Sequence, residues 1–263
     1  MRTFPSDNKK IVIKVSTQMI TDGVAEIYHN RIKVLVKEIA ELILEGYTII
    51  LVTSGAIGCG LAKLGLKKRP DDYKKLQAIA SVGQIVLMSL YQEEFNKQGL
   101  DIGQILLTAD DTKDSTRRAN IRNTLEVLIE KGIVPIINEN DTVAIEELRY
   151  GDNDKLSGLV SLLLFVDLLI ILTDVDGLCD KNPNIHSDYH VISQVDNIDD
   201  KLEELVEDID GGITFGGMKS KIKTIKKLTS VGVSAIITSF NNDKILSKIL
   251  KGEEVGTYFV AQK

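Results

Sequence analysis

The sequence predicts an α/β fold, a three-layer αβα sandwich whose mainly parallel central sheet lies between two layers of helices. Short, almost continuously apolar runs alternate with stretches of helical spacing along the whole chain. Such runs are typical of parallel strands buried on both faces, because a strand with one face in water shows an alternating pattern. The length of 263 residues allows a large core.

The elements are predicted in the alternating order of βαβ units. The helix over residues 31–46 has an apolar residue every three or four positions, and Gly46 is placed to end it. Further helices are expected around Gln77–Phe95, over 121–132, from about Leu156 and within 214–228. The predicted strands are Lys10–Val15, Tyr47–Ser54, Ile102–Thr108, Ile133–Glu139, Asp167–Asp174 and Val233–Ser239. The sequence has no internal repeat and no linker rich in proline and glycine, which favours a single domain over residues 1–263.

Composition and charge exclude several classes of protein. The net charge is −6, so nothing global attracts nucleic acid or an acidic membrane, although a few local lysines can still hold an anionic ligand. The two cysteines, Cys59 and Cys179, indicate a reducing compartment without a disulfide framework. The N-terminal residues lack the apolar core of a signal peptide, and no apolar run reaches the ~20 residues of a membrane span. We therefore expect a cytoplasmic protein.

The ends of the predicted strands indicate a ligand site. In open parallel sheets, the loops at the carboxyl ends of the strands converge on a crevice that binds ligands. Four of these exits are polar or glycine-rich: Lys14 ends the first strand, and residues 53–60, 138–142 and 173–178 follow the second, fourth and fifth strands. One polar loop is ordinary, but four on the same edge predict a site there.

Two segments have features that suit an anion. The glycine-rich turn 53–60 leads into a helix, whose first N–H groups favour negative charge, although a turn that only packs a helix would look the same. Paired glycines open the helix within 214–228, and Lys219, Lys221 and Lys223 in its first turns oppose the helix dipole. A bound phosphate would relieve that conflict; the alternative is a solvated basic face. The chain has no Walker A loop, so another device must hold any nucleotide phosphates.

Asp152, Asn153 and Asp154 stand directly before an apolar helix. Acidic and amide side chains cap helix N-termini, but one cap residue suffices, so these positions are also candidates for chemistry. By contrast, the polar stretch 179–190 holds one cysteine and two histidines with no fourth ligand at a usual spacing. We predict a surface loop there and no metal site.

Several motifs resemble those of glutamate 5-kinases, a branch of the amino acid kinase family. "TSGAI", "AIASVGQ", "GQILLT", "VPIINEND", "YGDNDKLS", "LTDVDGL" and "GGMKSK" occur in the order found in that branch. The resemblance extends from about Lys10 to Phe259, and "VGTYF" is similar to the last strand of the kinase domain. Many bacterial members carry a further C-terminal domain that resembles RNA-binding modules, which we do not expect here.

The resemblance implies ATP-dependent phosphorylation of the γ-carboxylate of L-glutamate to γ-glutamyl phosphate, the first step of proline biosynthesis. Members use Mg²⁺, which is held largely by the nucleotide phosphates rather than by a dedicated protein site. Many members are inhibited by proline at a site that overlaps the glutamate site. The resemblance further implies a homo-oligomer, either a dimer or a tetramer.

The resemblance also implies roles for individual residues. Lys14 and Lys221 would position the transferring phosphate, and Asp154 would organise both lysines. Glutamate would contact Ser54, Gly55, Ala56, Asn138, Asp141, Asp152 and Asn153. ATP would contact Lys14, Thr173, Asp174, Phe215, Gly216, Gly217, Met218, Lys219, Ser220 and Lys221.

Two positions depart from the family pattern. Ser16 stands where K-x-G-[TS] usually has glycine, and Phe215 stands where a small residue usually precedes the paired glycines. A bulkier residue at either position would affect how the backbone approaches the triphosphate. These two positions leave open a nucleotide- or proline-sensing homologue with weak turnover. A second alternative is a uridylate or acetylglutamate kinase of the same family, and the motifs "INEND" and "GDND" argue against it.

Overall fold

A computed structural model describes residues 2, 9–23, 26–144, 153–182, 185–210 and 217–262. The chain contains two compact units: an N-terminal unit of residues 15–149 and a C-terminal unit of residues 1–14 and 150–263. The prediction of a single domain stays a prediction.

The predicted α/β class is confirmed, because each unit combines mainly parallel strands with helices in the described chain. The strands are β1 (Lys10–Val15), β2 (Thr48–Val52), β3 (Ile102–Leu107), β4 (Val134–Glu139), β5 (Leu168–Thr173), β6 (Gln194–Val195), β7 (Ser234–Ser239) and β8 (Thr257–Phe259). The helices are α1 (Thr17–Ile20), α2 (His29–Leu44), α3 (Ala56–Lys63), α4 (Tyr73–Lys97), α5 (Ser115–Glu130), α6 (Asn153–Leu164), α7 (Asp200–Asp210), α8 (Met218–Thr229) and α9 (Ile245–Leu250).

The N-terminal unit contains strands in the order β3-β4-β2, all parallel. Every residue of β4 is buried, and β2 is buried after its first residue. Helix α2 buries the predicted apolar stripe, which includes Ile32, Val36 and Ile39. Gly46 has the positive φ of +92° that suits a glycine just after a helix, so the predicted stop is confirmed.

Helices α3 and α4 pack with their backbones in direct contact. A Cβ added at Gly83 of α4 would lie 1.7 Å from the carbonyl oxygen of Ala56, and one at Gly60 of α3 would lie 2.1 Å from the carbonyl oxygen of Ile79. Only glycine permits this approach. Cys59 is fully buried, and this burial raises the pKa of its thiol to about 12.

The C-terminal unit contains strands in the order β1-β5-β7-β8-β6. Strands β5 and β7 are parallel, as are β6 and β8, whereas β8 runs antiparallel to β7. Helices α6 and α8 pack closely, because a Cβ at Gly158 would lie 2.4 Å from Cγ2 of Thr224. No helix in the described ranges is long and apolar enough to cross a membrane.

Candidate active site

A buried group of three charged side chains lies within the C-terminal unit. Lys14 stands near the end of β1, Asp154 in the first turn of α6 and Lys221 in the first turn of α8. Lys14 Nζ is 2.6 Å from Asp154 Oδ1, and Lys221 Nζ is 2.9 Å from Asp154 Oδ2. The Asp154 side chain is 0% exposed, and the lysine side chains are 6% and 8% exposed. The structure therefore brings the three predicted catalytic residues together, with both lysines paired to the carboxylate of Asp154.

Local structure explains how these side chains are placed. The carboxylate of Asp154 suits the positive end of the α6 dipole, whereas Lys221 opposes the dipole of α8. The ion pair with Asp154 offsets that conflict. The face of α6 that contains Asp154 continues with three small residues, Ser157, Gly158 and Ser161, all buried. These small side chains allow α8 to approach closely enough for Lys221 to reach Asp154.

The energetics of this triad favour a functional explanation. Two ammonium groups and one carboxylate lose most of their hydration here, and apolar side chains of similar volume often replace buried ion pairs without loss of stability. Removing one partner alone typically costs about 3–5 kcal/mol, because the remaining charge stays buried. The triad has a formal net charge of +1, which suits an anionic ligand.

The predicted ATP residues lie at two positions of the C-terminal unit. Thr173 ends β5, and its hydroxyl donates a hydrogen bond of 3.0 Å to Asp174, whose side chain is exposed. Gly217 is the N-cap residue of α8. The first turn of α8 contains the predicted residues Met218, Lys219, Ser220 and Lys221. Phe215 and Gly216 lie outside the described residues.

The lysines of α8 separate into two kinds. Lys221 is buried against Asp154, whereas Lys219 and Lys223 are exposed. The sequence left two possibilities for these lysines, an anion site or a solvated basic face. The structure assigns the buried environment to Lys221 alone among these three.

In the N-terminal unit, the exit of β2 is a tight turn into α3. Ser54 is buried, Gly55 has a φ of +102° and Ala56 begins the helix, so the predicted glycine-rich turn into a helix is confirmed. The Thr53 hydroxyl lies 3.0 Å from the hydroxyl of Tyr91 on α4. Burial raises the pKa of Tyr91, so its hydroxyl stays protonated at neutral pH.

The exit of β4 contains a second hydrogen-bonded group. Asn138 is 2% exposed, and its Nδ2 donates a hydrogen bond of 2.7 Å to Oε1 of Gln84 on α4. Its Oδ1 accepts one of 2.9 Å from the backbone N–H of Glu139. Sequence reasoning did not select Gln84, although the motif "AIASVGQ" ends with it.

The remaining glutamate candidates lie in different parts of the chain. Asp141 follows β4 in the N-terminal unit and is partly exposed. Asn153 is the first residue of α6 in the C-terminal unit and is buried. Asp152 lies outside the described residues.

The stretch that contains Cys179 and the two histidines is held by local contacts. Cys179 is buried and forms an isolated bridge with Val191. Asp180 accepts a hydrogen bond of 2.7 Å from the backbone N–H of His190, which lowers the pKa of Asp180. Within the described residues, no three or more histidine, cysteine or acidic side chains form a group that could hold a metal ion.

With this fold and geometry in hand, comparison with known proteins gives the class of protein. Residues 9–239 match the amino acid kinase family. The chain belongs to this family.

Individual relatives show which members of the amino acid kinase family the chain is similar to in sequence. The chain is 40% identical over 267 residues to a glutamate 5-kinase of Clostridium perfringens, with 100% of this chain and 99% of that protein covered. It is 41% identical to a glutamate 5-kinase of Lactococcus lactis, with 95% and 94% covered. A glutamate 5-kinase of Caldanaerobacter subterraneus is 42% identical, with 97% of this chain and 68% of that protein covered.

Solved structures of other enzymes share the fold. The UMP kinase of Bacillus anthracis superposes with a TM-score of 0.63 at 14% identity and 97% coverage of each chain. The isopentenyl phosphate kinase of T. acidophilum superposes with a TM-score of 0.65 at 18% identity, covering 95% of this chain and 99% of that one. At these identities the likeness shows the fold alone.

Proposed function

We propose that this protein is a glutamate 5-kinase, which transfers the γ-phosphoryl group of ATP to the γ-carboxylate of L-glutamate. The products are γ-glutamyl phosphate and ADP, and the reaction is the first step of proline biosynthesis. The observation that carries the proposal is the buried carboxylate of Asp154 between the ammonium groups of Lys14 and Lys221. Relatives of that activity, about 40% identical over nearly the whole chain, support the choice of acceptor.

The chemistry needs positioning more than proton transfer. A γ-carboxylate has a reference pKa of ~4.3, so it is ionised at neutral pH and needs no general base. One of its oxygens forms a bond to the γ-phosphorus while the bond from that phosphorus to the bridging oxygen of ADP breaks. Because both reactants are anions, the barrier depends on alignment and charge stabilisation.

The triad meets this requirement. Lys14 and Lys221 offset the negative charge of the transferring group, and Asp154 fixes both ammonium groups before the nucleotide arrives. Such preorganisation costs no rearrangement at the moment of reaction. Thr173, Asp174 and the first turn of α8 bind the remainder of ATP.

We propose that Mg²⁺ enters with the nucleotide. The phosphates would hold most of the ion's coordination sites, as is usual for Mg²⁺ in nucleotide sites. The ion would neutralise charge on the β- and γ-phosphates.

The proposed amino acid contacts come from the loops after β2 and β4 and from the start of α6. The carboxylate of Asp141 selects the ammonium group of the substrate. Hydrogen-bonding groups for the substrate come from Ser54, Gly55, Ala56, Asn138, Asp152 and Asn153. We further propose a cytoplasmic homo-oligomer that proline inhibits at an overlapping site.

A substrate panel tests this function. Purified protein, ATP and Mg²⁺ are incubated with glutamate, N-acetylglutamate or UMP; hydroxylamine traps an acyl phosphate as a hydroxamate, and ADP release is measured in parallel. We expect hydroxamate and ADP with glutamate alone. Activity on another acceptor and none on glutamate would overturn the proposal.

A binding measurement beside the panel addresses the sensing alternative. Ser16 and Phe215 motivate it, because each stands where the family usually has a smaller residue near the nucleotide phosphates. Binding of ATP and glutamate by calorimetry, without release of ADP, would establish a sensor in place of a kinase.

A further inference from the structure

Gln84 occupies a fixed position beside two predicted substrate segments of the N-terminal unit. It follows Gly83, where the backbone of α4 touches the carbonyl oxygen of Ala56. A helix held this closely cannot shift without disturbing the turn of Ser54 and Gly55. The Cα of Gln84 is therefore fixed relative to that turn.

A chain of hydrogen bonds determines the orientation of both amides. The backbone N–H of Glu139 can only donate, so the atom of Asn138 that faces it must be the oxygen Oδ1. Nδ2 of Asn138 must then be the atom that donates to Gln84 Oε1. The amide nitrogen of Gln84 becomes the outer end of this chain. The usual ambiguity between the oxygen and nitrogen of an amide is thus removed by one backbone group.

Stability does not explain a glutamine at this position. Gln84 Nε2 is buried, and no described residue accepts a hydrogen bond from it. A buried donor without an acceptor costs free energy that an apolar side chain would avoid. The glutamine therefore has a use that outweighs this cost, and its oxygen provides one by holding Asn138.

We propose that Gln84 is a positioning residue for the amino acid substrate, which acts by fixing the carboxamide of Asn138 through the hydrogen bond to Oε1. This inference rests on the proposed function, because it takes Asn138 as a glutamate contact. An asparagine held in one orientation presents its donor and its acceptor in fixed directions. These fixed directions let the site distinguish glutamate from an acceptor of similar size with different polar groups.

A double-mutant cycle tests this role. Gln84→Met keeps most of the volume and removes the acceptor, Asn138→Ala removes the group that Gln84 holds, and the third variant combines both. We expect Gln84→Met to raise KM for glutamate about tenfold, the effect of one ordinary hydrogen bond, with KM for ATP within about twofold of the original. In the Asn138→Ala background, Gln84→Met should have no further effect, because residues that act as one unit are not additive.

A matched control lies on the same helix. Gln92 of α4 donates a hydrogen bond of 2.6 Å to Asn96, away from the predicted substrate residues. Gln92→Met makes the same chemical change and should leave both KM values unchanged. Thermal melts of all variants report folding, and calorimetric Kd values for glutamate supply the cycle if Asn138→Ala is too slow to assay.

The outcomes separate the inference from the function on which it rests. If the original protein phosphorylates glutamate but Gln84→Met keeps its KM, the proposed role of Gln84 is wrong and the kinase assignment stands. Additive effects in the cycle would also reject it, since Gln84 would then act independently of Asn138. No turnover of glutamate by the original protein would overturn both.

Discussion

The two units hold their candidate residues by different physical means. In the C-terminal unit, Lys14 and Lys221 are held by a buried charge, the carboxylate of Asp154. In the N-terminal unit, Asn138 is held by the neutral amide of Gln84, and the turn at Gly55 is held by backbone packing of α3 on α4. One arrangement depends on charge and the other on shape and hydrogen-bond direction.

The difference indicates what each arrangement is suited to do. Fixed charges in a dry site act strongly on a ligand whose charge distribution changes, as it does in phosphoryl transfer. Fixed amides and close packing discriminate the shape and polarity of a ligand that changes little. Changes to the charged group should therefore lower kcat, and changes to the packed group should mainly raise KM for glutamate.

The largest effect is expected from Asp154→Asn. This change removes the negative charge that both lysines contact while the volume stays the same. We expect kcat to fall a hundredfold or more and the free energy of unfolding to fall by about 3–5 kcal/mol, because two buried ammonium groups lose their partner. Hydroxamate kinetics and urea unfolding measure the two quantities. If Asp154 only caps α6, asparagine should preserve both.

Asp114→Asn is the matched control for this prediction. Asp114 is the N-cap residue of α5, and its side chain accepts a hydrogen bond of 2.8 Å from the backbone N–H of Arg117. Asparagine is as good a cap as aspartate. Turnover and stability should both stay close to the original values, which shows what the exchange does at an ordinary cap.

The next largest effect is expected from Gly83→Ala, compared with Gly158→Ala. The new methyl group at position 83 would meet backbone, the carbonyl of Ala56, whereas at 158 it would meet the side chain of Thr224. We expect Gly83→Ala to cost about 3 kcal/mol and to raise KM for glutamate. Gly158→Ala should cost less, about 1–2 kcal/mol, because the Thr224 side chain can shift where a backbone carbonyl cannot, and better helix propensity offsets part of the clash. Equal losses measured by urea unfolding would contradict this difference.

A smaller, pH-dependent effect is expected at Cys59 in the α3–α4 contact. Burial raises the pKa of this thiol from 9.0 to about 12, so the unfolded protein loses the thiol proton at a lower pH than the folded protein does. The free energy of unfolding is therefore unaffected by this thiol below pH 9 and falls as pH rises from 9 towards 12. At pH 10 the loss amounts to roughly 1 kcal/mol. Urea unfolding between pH 8 and 10 should show this loss in the original protein but not in Cys59→Ala. Parallel curves would mean that the thiol is not shielded from water.

The smallest effect is expected from Ser16→Gly. Ser16 has a φ of −78°, so its backbone does not require glycine, and its buried hydroxyl lacks a partner among the described residues. Glycine removes that hydroxyl and opens the backbone to the triphosphate. We expect KM for ATP to fall roughly threefold, which corresponds to the free-energy change of one weak contact. KM for glutamate should be unchanged. A rise in KM for ATP would show that serine contributes to nucleotide binding.

The strands were more predictable than the helices. Continuous apolar runs gave β1 correctly and the other main strands to within about two residues. Burial on both faces leaves a strong signal in β1, β2, β4, β5 and β7, whereas β3 is only partly buried. Helix α5 begins at Ser115, several residues before the predicted start, because its first turns are exposed and contain no apolar period. Helix α7 and the two-residue strand β6 were not predicted. The antiparallel direction of β8 depends on tertiary pairing that no local pattern reports.

The candidate site was predictable where chemistry and chain position coincide. Lys14, Asp154 and Lys221 lie at a strand end and two helix starts, which are the positions where local rules place ligand-binding groups. Gln84 was missed because its contact with Asn138 joins positions 54 residues apart, and an isolated glutamine within a helix gives no signal. Contacts of this kind become visible only when the fold is known.

The shared carboxylate at the start of α6 has an evolutionary consequence. Since Asp154 serves two cations from separate segments, a replacement at any one of the three positions alters the selective value of the residues at the other two. The three positions are therefore inherited as one epistatic set, and a lineage can exchange its members only by passing through an impaired intermediate or by changing several of them at once.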